Sequence, residues 1–272
     1  ALDAFAVGGV SGASANDRSG ATMNRIEVHK RAAIGEIRLN RPMVLNAQGR
    51  DWPDDMLAAA REMQEDRAVR VVVLTGEGRA FCSGLDLTDL AAGEITGAWF
   101  HRAEVAFRAL ETLDKPVIAG VQGYCLGGGL QLIITCDVRI AADDAILGLP
   151  AAREAFLPGM GTYRLPRLIG TGWARHLILS GENIGAGEAH RIGLVNRVVA
   201  RPELEREIAA WAARYLEVPR PSLTWAKRLT LQAFDLSFEQ FLAQMDRAME
   251  VVLTSEEHQA ARRAWTERKR GG

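Results

Sequence analysis

The sequence predicts an α/β fold with a mostly parallel sheet, on three observations. Two continuous apolar, β-branched runs, Arg70–Thr75 and Val117–Val121, have the composition of strands buried on both faces. Segments of helical spacing separate the strand-like runs, as crossover helices between parallel strands do. After Pro202 the pattern becomes helical throughout, so the β-rich part carries a helical C-terminal region.

In chain order, Ile26–His29 and Ala33–Leu39 read as two short strands, and Asn40, Arg41 and Pro42 as a turn. Trp52, Met56, Leu57, Ala60 and Met63 fall at helical spacing within Asp51–Asp66. Gly76 and Gly78 end the first buried strand; Gly97–Leu113 is helical, and Lys115 and Pro116 break the chain before the second. Three glycines open a short apolar helix over Gly127–Thr135. Val138–Ala141 and Ala145–Leu147 are strand-like, helices follow at Thr162–Ile169 and Gly172–Leu179, and Leu194–Val199 is a strand. The C-terminal helices are read at Glu203–Leu216, Ser222–Ala233, Phe238–Leu253 and Glu256–Arg268. Residues 1–22 are rich in Gly, Ala and Ser and lack a basic stretch followed by an apolar core. They read as a tag or disordered extension ahead of Met23, not as a signal peptide.

The formal net charge of −1 gives no electrostatic pull toward nucleic acid or an anionic membrane. No run of about 18 apolar residues would cross a bilayer. Cys82, Cys125 and Cys136 are odd in number and show no CxxC or Cys/His spacing. They support neither a disulfide framework nor a metal site, and a reducing, cytoplasmic setting is expected.

Two glycine-bearing segments follow the two buried strands, at the strand ends where α/β folds bind ligands. They are Arg79–Leu87 (RAFCSGLDL) and Gly123–Gln131 (GYCLGGGLQ), the second opening a helix. Glycines let a ligand approach the backbone, and a helix start offers unpaired N–H groups. Two such groups from separate loops can hold one developing oxyanion. No phosphate-cradling GxxxxGK[ST], no nucleophile-elbow GxSxG and no dinucleotide fingerprint is present.

These segments resemble the signatures of the crotonase superfamily, the enoyl-CoA hydratase/isomerase family. RAFCSGLDL is similar to its first loop, and KPVIAGVQGYCLGGGLQLIITCDVRIA to its second signature. LNRPMVLNA at Leu39–Ala47, LPG at Leu157–Gly159, RLPRLIG at Arg164–Gly170 and LILSGENIGAGEAHRIGLVNRVV also match in order. The resemblance implies a ββα spiral core over residues 23–200 holding an acyl-CoA site. It implies a helical trimerisation region over 201–272, in a homotrimer or a dimer of trimers. The thioester oxygen would be held by the backbone N–H groups of Leu85 and Gly128, with Asp86 bracing its own loop. The CoA moiety would run along Met43, Val44 and Leu45 and along Arg79, Ala80 and Cys82. No metal and no cofactor beyond the CoA moiety is implied.

The chain departs from the hydratase pattern at both positions where the family carries glutamate: they are Gln131 and Ala151 here. Hydration needs one group to take a proton and one to deliver it. Glu154, three residues after Ala151, and His101 are candidate substitutes, and Glu104 lies near His101. Tyr163 is either a proton donor or a packed aromatic. Trp99, Phe100, Phe107 and Met56 either line an acyl pocket or belong to the core. The readings left open are an acyl-CoA enzyme of hydratase, isomerase, decarboxylase or hydrolase type, a non-catalytic acyl-CoA binder, and a purely structural subunit.

Overall fold

The structure is a computed structural model that describes residues 25–270, with the side chains of 265–270 left aside. The reading of residues 1–22 lies outside the described residues. Ile26–Arg31 (β1) and Ile34–Leu39 (β2) form an antiparallel hairpin. Trp52–Glu65 (α1) then crosses to Val71–Gly76 (β3), which pairs parallel with β2. After the first glycine loop come Leu87–Ala91 (α2) and Gly97–Glu111 (α3). Val117–Val121 (β4) adds parallel to β3, followed by Tyr124–Leu126 (β5) and Gly128–Ile133 (α4). Val138–Ala142 (β6) adds parallel to β4, and Ile146–Gly148 (β7) pairs with β5.

Gly161–Ser180 (α5) contains Pro166 and is broken at Gly170, whose φ of 77° and ψ of 159° are not helical. The two helices expected over this stretch are thus its two arms. Asn183–Gly185 (β8), Ala186–Arg191 (α6) and Arg197–Val199 (β9) complete the β-rich part. The larger sheet has the order β1-β2-β3-β4-β6-β9 and is parallel apart from β1–β2. β5, β7 and β8 form a second, three-stranded sheet. Leu204–Leu216 (α7), Arg220–Gln232 (α8), Phe238–Thr254 (α9) and Glu256–Arg270 (α10) follow.

The strand reading of β3 and β4 holds, and for the expected reason. Val72 and Leu74 face the main core with Trp52, Met56, Trp99 and Phe107 from α1 and α3. Val71 and Val73 face the opposite cluster with Leu204, Ile208 and Ala212 of α7. Successive strand residues point to opposite faces, and both faces are covered, so no polar residue alternates in. Trp99, Phe107 and Met56 are therefore core residues, and Phe100 is half-buried beside Trp99 and Phe156. No described helix is long and apolar enough to cross a membrane.

Two local features bear on the candidate residues. The stretch after β7 is a 3-10 turn over Pro150–Glu154 and ends at Ala155 with φ of 57°. Residues three apart eclipse in 3-10 geometry, so Ala151 and Glu154 share an edge. Tyr163 is not a packed aromatic: it is 37% exposed, donates to Asp235 Oδ1 at 2.8 Å and stacks under Arg167.

Candidate active site

The site is built where β3 and β4 end and their two glycine loops meet. The first loop is held from below by the segment 41–48. Arg41 donates to Asp86 Oδ2 at 2.9 Å and to the Ala47 carbonyl at 2.7 Å. Asn46 donates to the carbonyls of Glu77 and Ala80 at 3.0 and 2.9 Å, and its Oδ1 accepts from the Arg41 amide at 2.8 Å. The Gln48 amide donates to the Gly84 carbonyl at 2.7 Å, and the Asp86 amide to the Gln48 carbonyl at 3.0 Å. Asp86 also caps α2 by accepting from the Thr88 amide at 3.0 Å. Burial alone would raise the Asp86 pKa, but the bonds from Arg41 and Thr88 bring it below the ordinary carboxylate value.

The two loops touch at their glycines. Gly84 has φ of 101°, and a Cβ there would lie 3.1 Å from the Leu126 carbonyl and 3.7 Å from the Gly128 nitrogen. A Cβ on Gly128 would fall 1.9 Å from Gln48 Oε1, so the buried Gln48 amide lies directly against its Cα. Among the described residues, neither the Leu85 amide nor the Gly128 amide has an acceptor. Gly128 is the first residue of α4, where an N–H has no intrahelical partner. The structure thus leaves two backbone donors free on abutting loops.

Gln131 lies on α4 one turn beyond Gly128, and its buried Oε1 accepts from no described group. Beside it stands Glu104 of α3, ion-paired to Arg164 of α5 at 2.8 Å. Arg164 is only 7% exposed and also pairs with Glu111 at 3.1 Å. Burial would lower the Arg164 pKa, but its bonds to Glu104 and Glu111 raise it above the ordinary value. Ala151 is half-buried on the 3-10 turn, and Glu154 is exposed there without a hydrogen bond or ion pair to a described residue. His101 is exposed on α3 and likewise unengaged. Glu104 and Gln131 thus both border Gly159, where a Cβ would lie 3.1 Å from an oxygen of each, and neither Glu154 nor His101 has a side-chain bond to this group among the described residues.

Met43 is 94% exposed and Val44 and Arg79 are also exposed, on the outer rim. Leu45 is half-buried with φ of 53°. Ala80 and Cys82 are buried, with the Cys82 amide bonded to the Tyr124 carbonyl at 3.0 Å. Burial pushes the Cys82 and Cys136 thiols up to about 12, and Cys125 upward as well, so none is an activated nucleophile. No group of three or more His, Cys, Asp or Glu among the described residues could hold a metal. Sequence reading missed Gln48, whose polar side chain under Gly128 carries no motif signal, and the bridging role of Arg164.

Fold and site together define a class. The Enoyl-CoA hydratase/isomerase family profile matches residues 29–271, and the chain belongs to that family of enzymes. It is 34% identical over 249 residues to the probable enoyl-CoA hydratase echA8 of Mycobacterium tuberculosis, covering 91% of this chain and 97% of that protein. It is also 34% identical over 252 residues to the short-chain-enoyl-CoA hydratase of Clostridium acetobutylicum, with coverage of 91% and 97%. The crystal structure of an enoyl-CoA hydratase from Bacillus anthracis superposes with a TM-score of 0.85 at 32% identity, covering 90% of this chain and 96% of that one. The crotonase-like core with a helical C-terminal region is therefore the fold of this chain.

Proposed function

We propose that this protein acts on an acyl-CoA thioester, whose carbonyl oxygen is held as an enolate by the backbone N–H groups of Leu85 and Gly128. The observation that carries the reading is the pair of unpartnered amides on abutting loops. Each would gain an acceptor as negative charge develops on the oxygen, and donors fixed in advance favour that charge over the neutral carbonyl. The relatives named above as enoyl-CoA hydratases support the substrate class. With Gln131 and Ala151 at the positions of the family's two glutamates, the usual acid–base pair is missing. The CoA moiety runs over the exposed rim of Met43, Val44 and Arg79. Phe238, Leu242, Met249 and Leu253 on α9 are exposed apolar residues, and they support a trimer closed through the C-terminal helices.

A second reading, acyl-CoA binding without turnover, is favoured by the same two replaced positions. A panel of saturated, 2-enoyl, 3-enoyl and β-keto acyl-CoA thioesters separates the two. Conversion of one member, read by mass spectrometry, is the expected result. Tight binding across the panel without conversion would establish the binder instead, and absence of binding would remove both.

A further inference from the structure

Gln48 touches both of the loops that carry the proposed thioester donors. Its main chain forms a parallel bridge opposite Leu85. Its amide donates to the Gly84 carbonyl at 2.7 Å, and its carbonyl accepts from the Asp86 amide at 3.0 Å. The two bonds bracket Leu85 and leave the Leu85 N–H free. The Gln48 side chain crosses to the other loop. A Cβ on Gly128 would fall 1.9 Å from Gln48 Oε1, 2.6 Å from its Cδ and 3.1 Å from its Nε2. The whole amide group thus fills the space that a side chain at 128 would need. Gly128 belongs to α4 and its φ is not positive, so glycine stands there for space and not for conformation. Gln48 is 1% exposed, and its Nε2 donates to no described group. Packing therefore joins it to Gly128, not a hydrogen bond. A buried donor without an acceptor lowers stability, and such local costs gather where a site's geometry depends on them.

We infer that Gln48 is a positioning residue: it fixes the separation of the Leu85 and Gly128 N–H groups, and so how strongly the carbonyl of a bound acyl thioester is polarised. This rests on the thioester reading above. Gln48 acts through those two groups and not on the reacting atoms. Leu85 is set by the bonds to its neighbours, and Gly128 by the wall of the Gln48 amide. Two donors share one oxygen only while both point at it, and a misplacement of about 1 Å can cost about 10²-fold in rate. The effect is larger on the charged oxygen than on the neutral carbonyl, so it falls on kcat more than on affinity.

The test is a double-mutant cycle of wild type, Gly128→Ala, Gln48→Ala and the two together. It reads turnover on whichever thioester of the panel is converted, affinity for the saturated thioester, and the infrared stretch of an isotope-labelled thioester carbonyl in that complex. The stretch needs no turnover, so it also serves a protein that binds without converting. Gln48→Ala should lower kcat by about tenfold, keep affinity within about threefold, and shrink the shift of the carbonyl stretch to lower wavenumber. Gly128→Ala, with its methyl driven against the Gln48 amide, should lose about 10²–10³-fold in kcat. Gln48→Ala clears the space for that methyl, so the double variant should exceed Gly128→Ala alone by about tenfold, which independent sites would not show. Gln48→Met keeps the length of the side chain and removes the unpartnered donor. It should keep the carbonyl shift and raise the urea midpoint, and it serves where the alanine variant does not fold. Losses that simply multiply in the double variant overturn the assignment of Gln48. So does a wild-type carbonyl shift in folded Gln48→Ala, or loss of that shift in folded Gln48→Met, and each of these leaves the thioester reading intact. Failure of wild type to bind any acyl-CoA overturns both.

Discussion

Asn46 is the residue on which the first loop turns. It and Leu45 stand consecutively in left-handed backbone, at φ of 56° and 53°, a conformation Asn tolerates better than most side chains. Its amide group also ties Arg41, Glu77 and Ala80 together. Asn46→Ala removes both contributions and should cost about 2–4 kcal/mol in urea unfolding. Asn46→Gly restores the backbone freedom alone and should recover about 1 kcal/mol of that loss. Asp86 gives a pH signature. Its folded pKa is depressed, so its contribution is complete above the unfolded value of about 3.9 and is lost as pH falls through the lower folded value. Asp86→Asn should therefore destabilise by a constant amount above about pH 5, with the gap to wild type closing below about pH 4 in urea titrations at each pH. The glycines and the NRP-to-NA segment were legible in the sequence because their demands are local. The pairing of Glu104 with Arg164 was not, since these residues come from two helices and only their docking sets the distance.

At the scale of elements, β3 and β4 were readable because burial on both faces leaves an uninterrupted apolar run. α2, β5, β8 and α6 were not, being too short to show a period. Lys115, which reads in the sequence only as a break before Pro116, closes the end of α1. Its ammonium donates to the carbonyls of Met63, of Asp66 at 2.7 Å and of Gln64 at 3.3 Å. Met63 and Gln64 carry two of the last carbonyls of α1, which have no intrahelical donor and hold the negative end of its dipole, and Asp66 is the residue that caps it. Burial lowers the Lys115 pKa below its ordinary value. Lys115→Met should leave the Met63 and Gln64 carbonyls without their donor, the Asp66 carbonyl keeping the Val69 amide, and cost about 3 kcal/mol, measured as a lower urea midpoint with an unchanged m-value.

At the scale of the whole molecule, the helical C-terminal region divides by how it is tied. α7 lies on the sheet, with Ile208 over Gly120, where a Cβ would meet Ile208 Cδ1 at 2.2 Å. α8 is bound to the core by side chains: Lys227 to Asp137 at 2.6 Å and to the Lys115 carbonyl at 2.9 Å, Arg228 to Asp114 through two bonds of 2.7 Å, and Thr224 to the Asp114 carbonyl at 2.9 Å. α9 packs on α8 and leaves much of its apolar face exposed.

The stitching of α8 decides where a protease opens the chain. The link between α7 and α8 is held on both sides, by Arg70 to the Val218 carbonyl at 2.8 Å and Arg220 to the Arg67 carbonyl at 3.2 Å. The link between α8 and α9 carries Phe234, exposed and in a turn, and cleavage concentrates at such sites. Dilute protein treated briefly with chymotrypsin should be nicked first after Phe234, giving a durable fragment that retains α8, and a first cut at Tyr215 or Leu216 would show that the stitching is weaker than its bonds suggest.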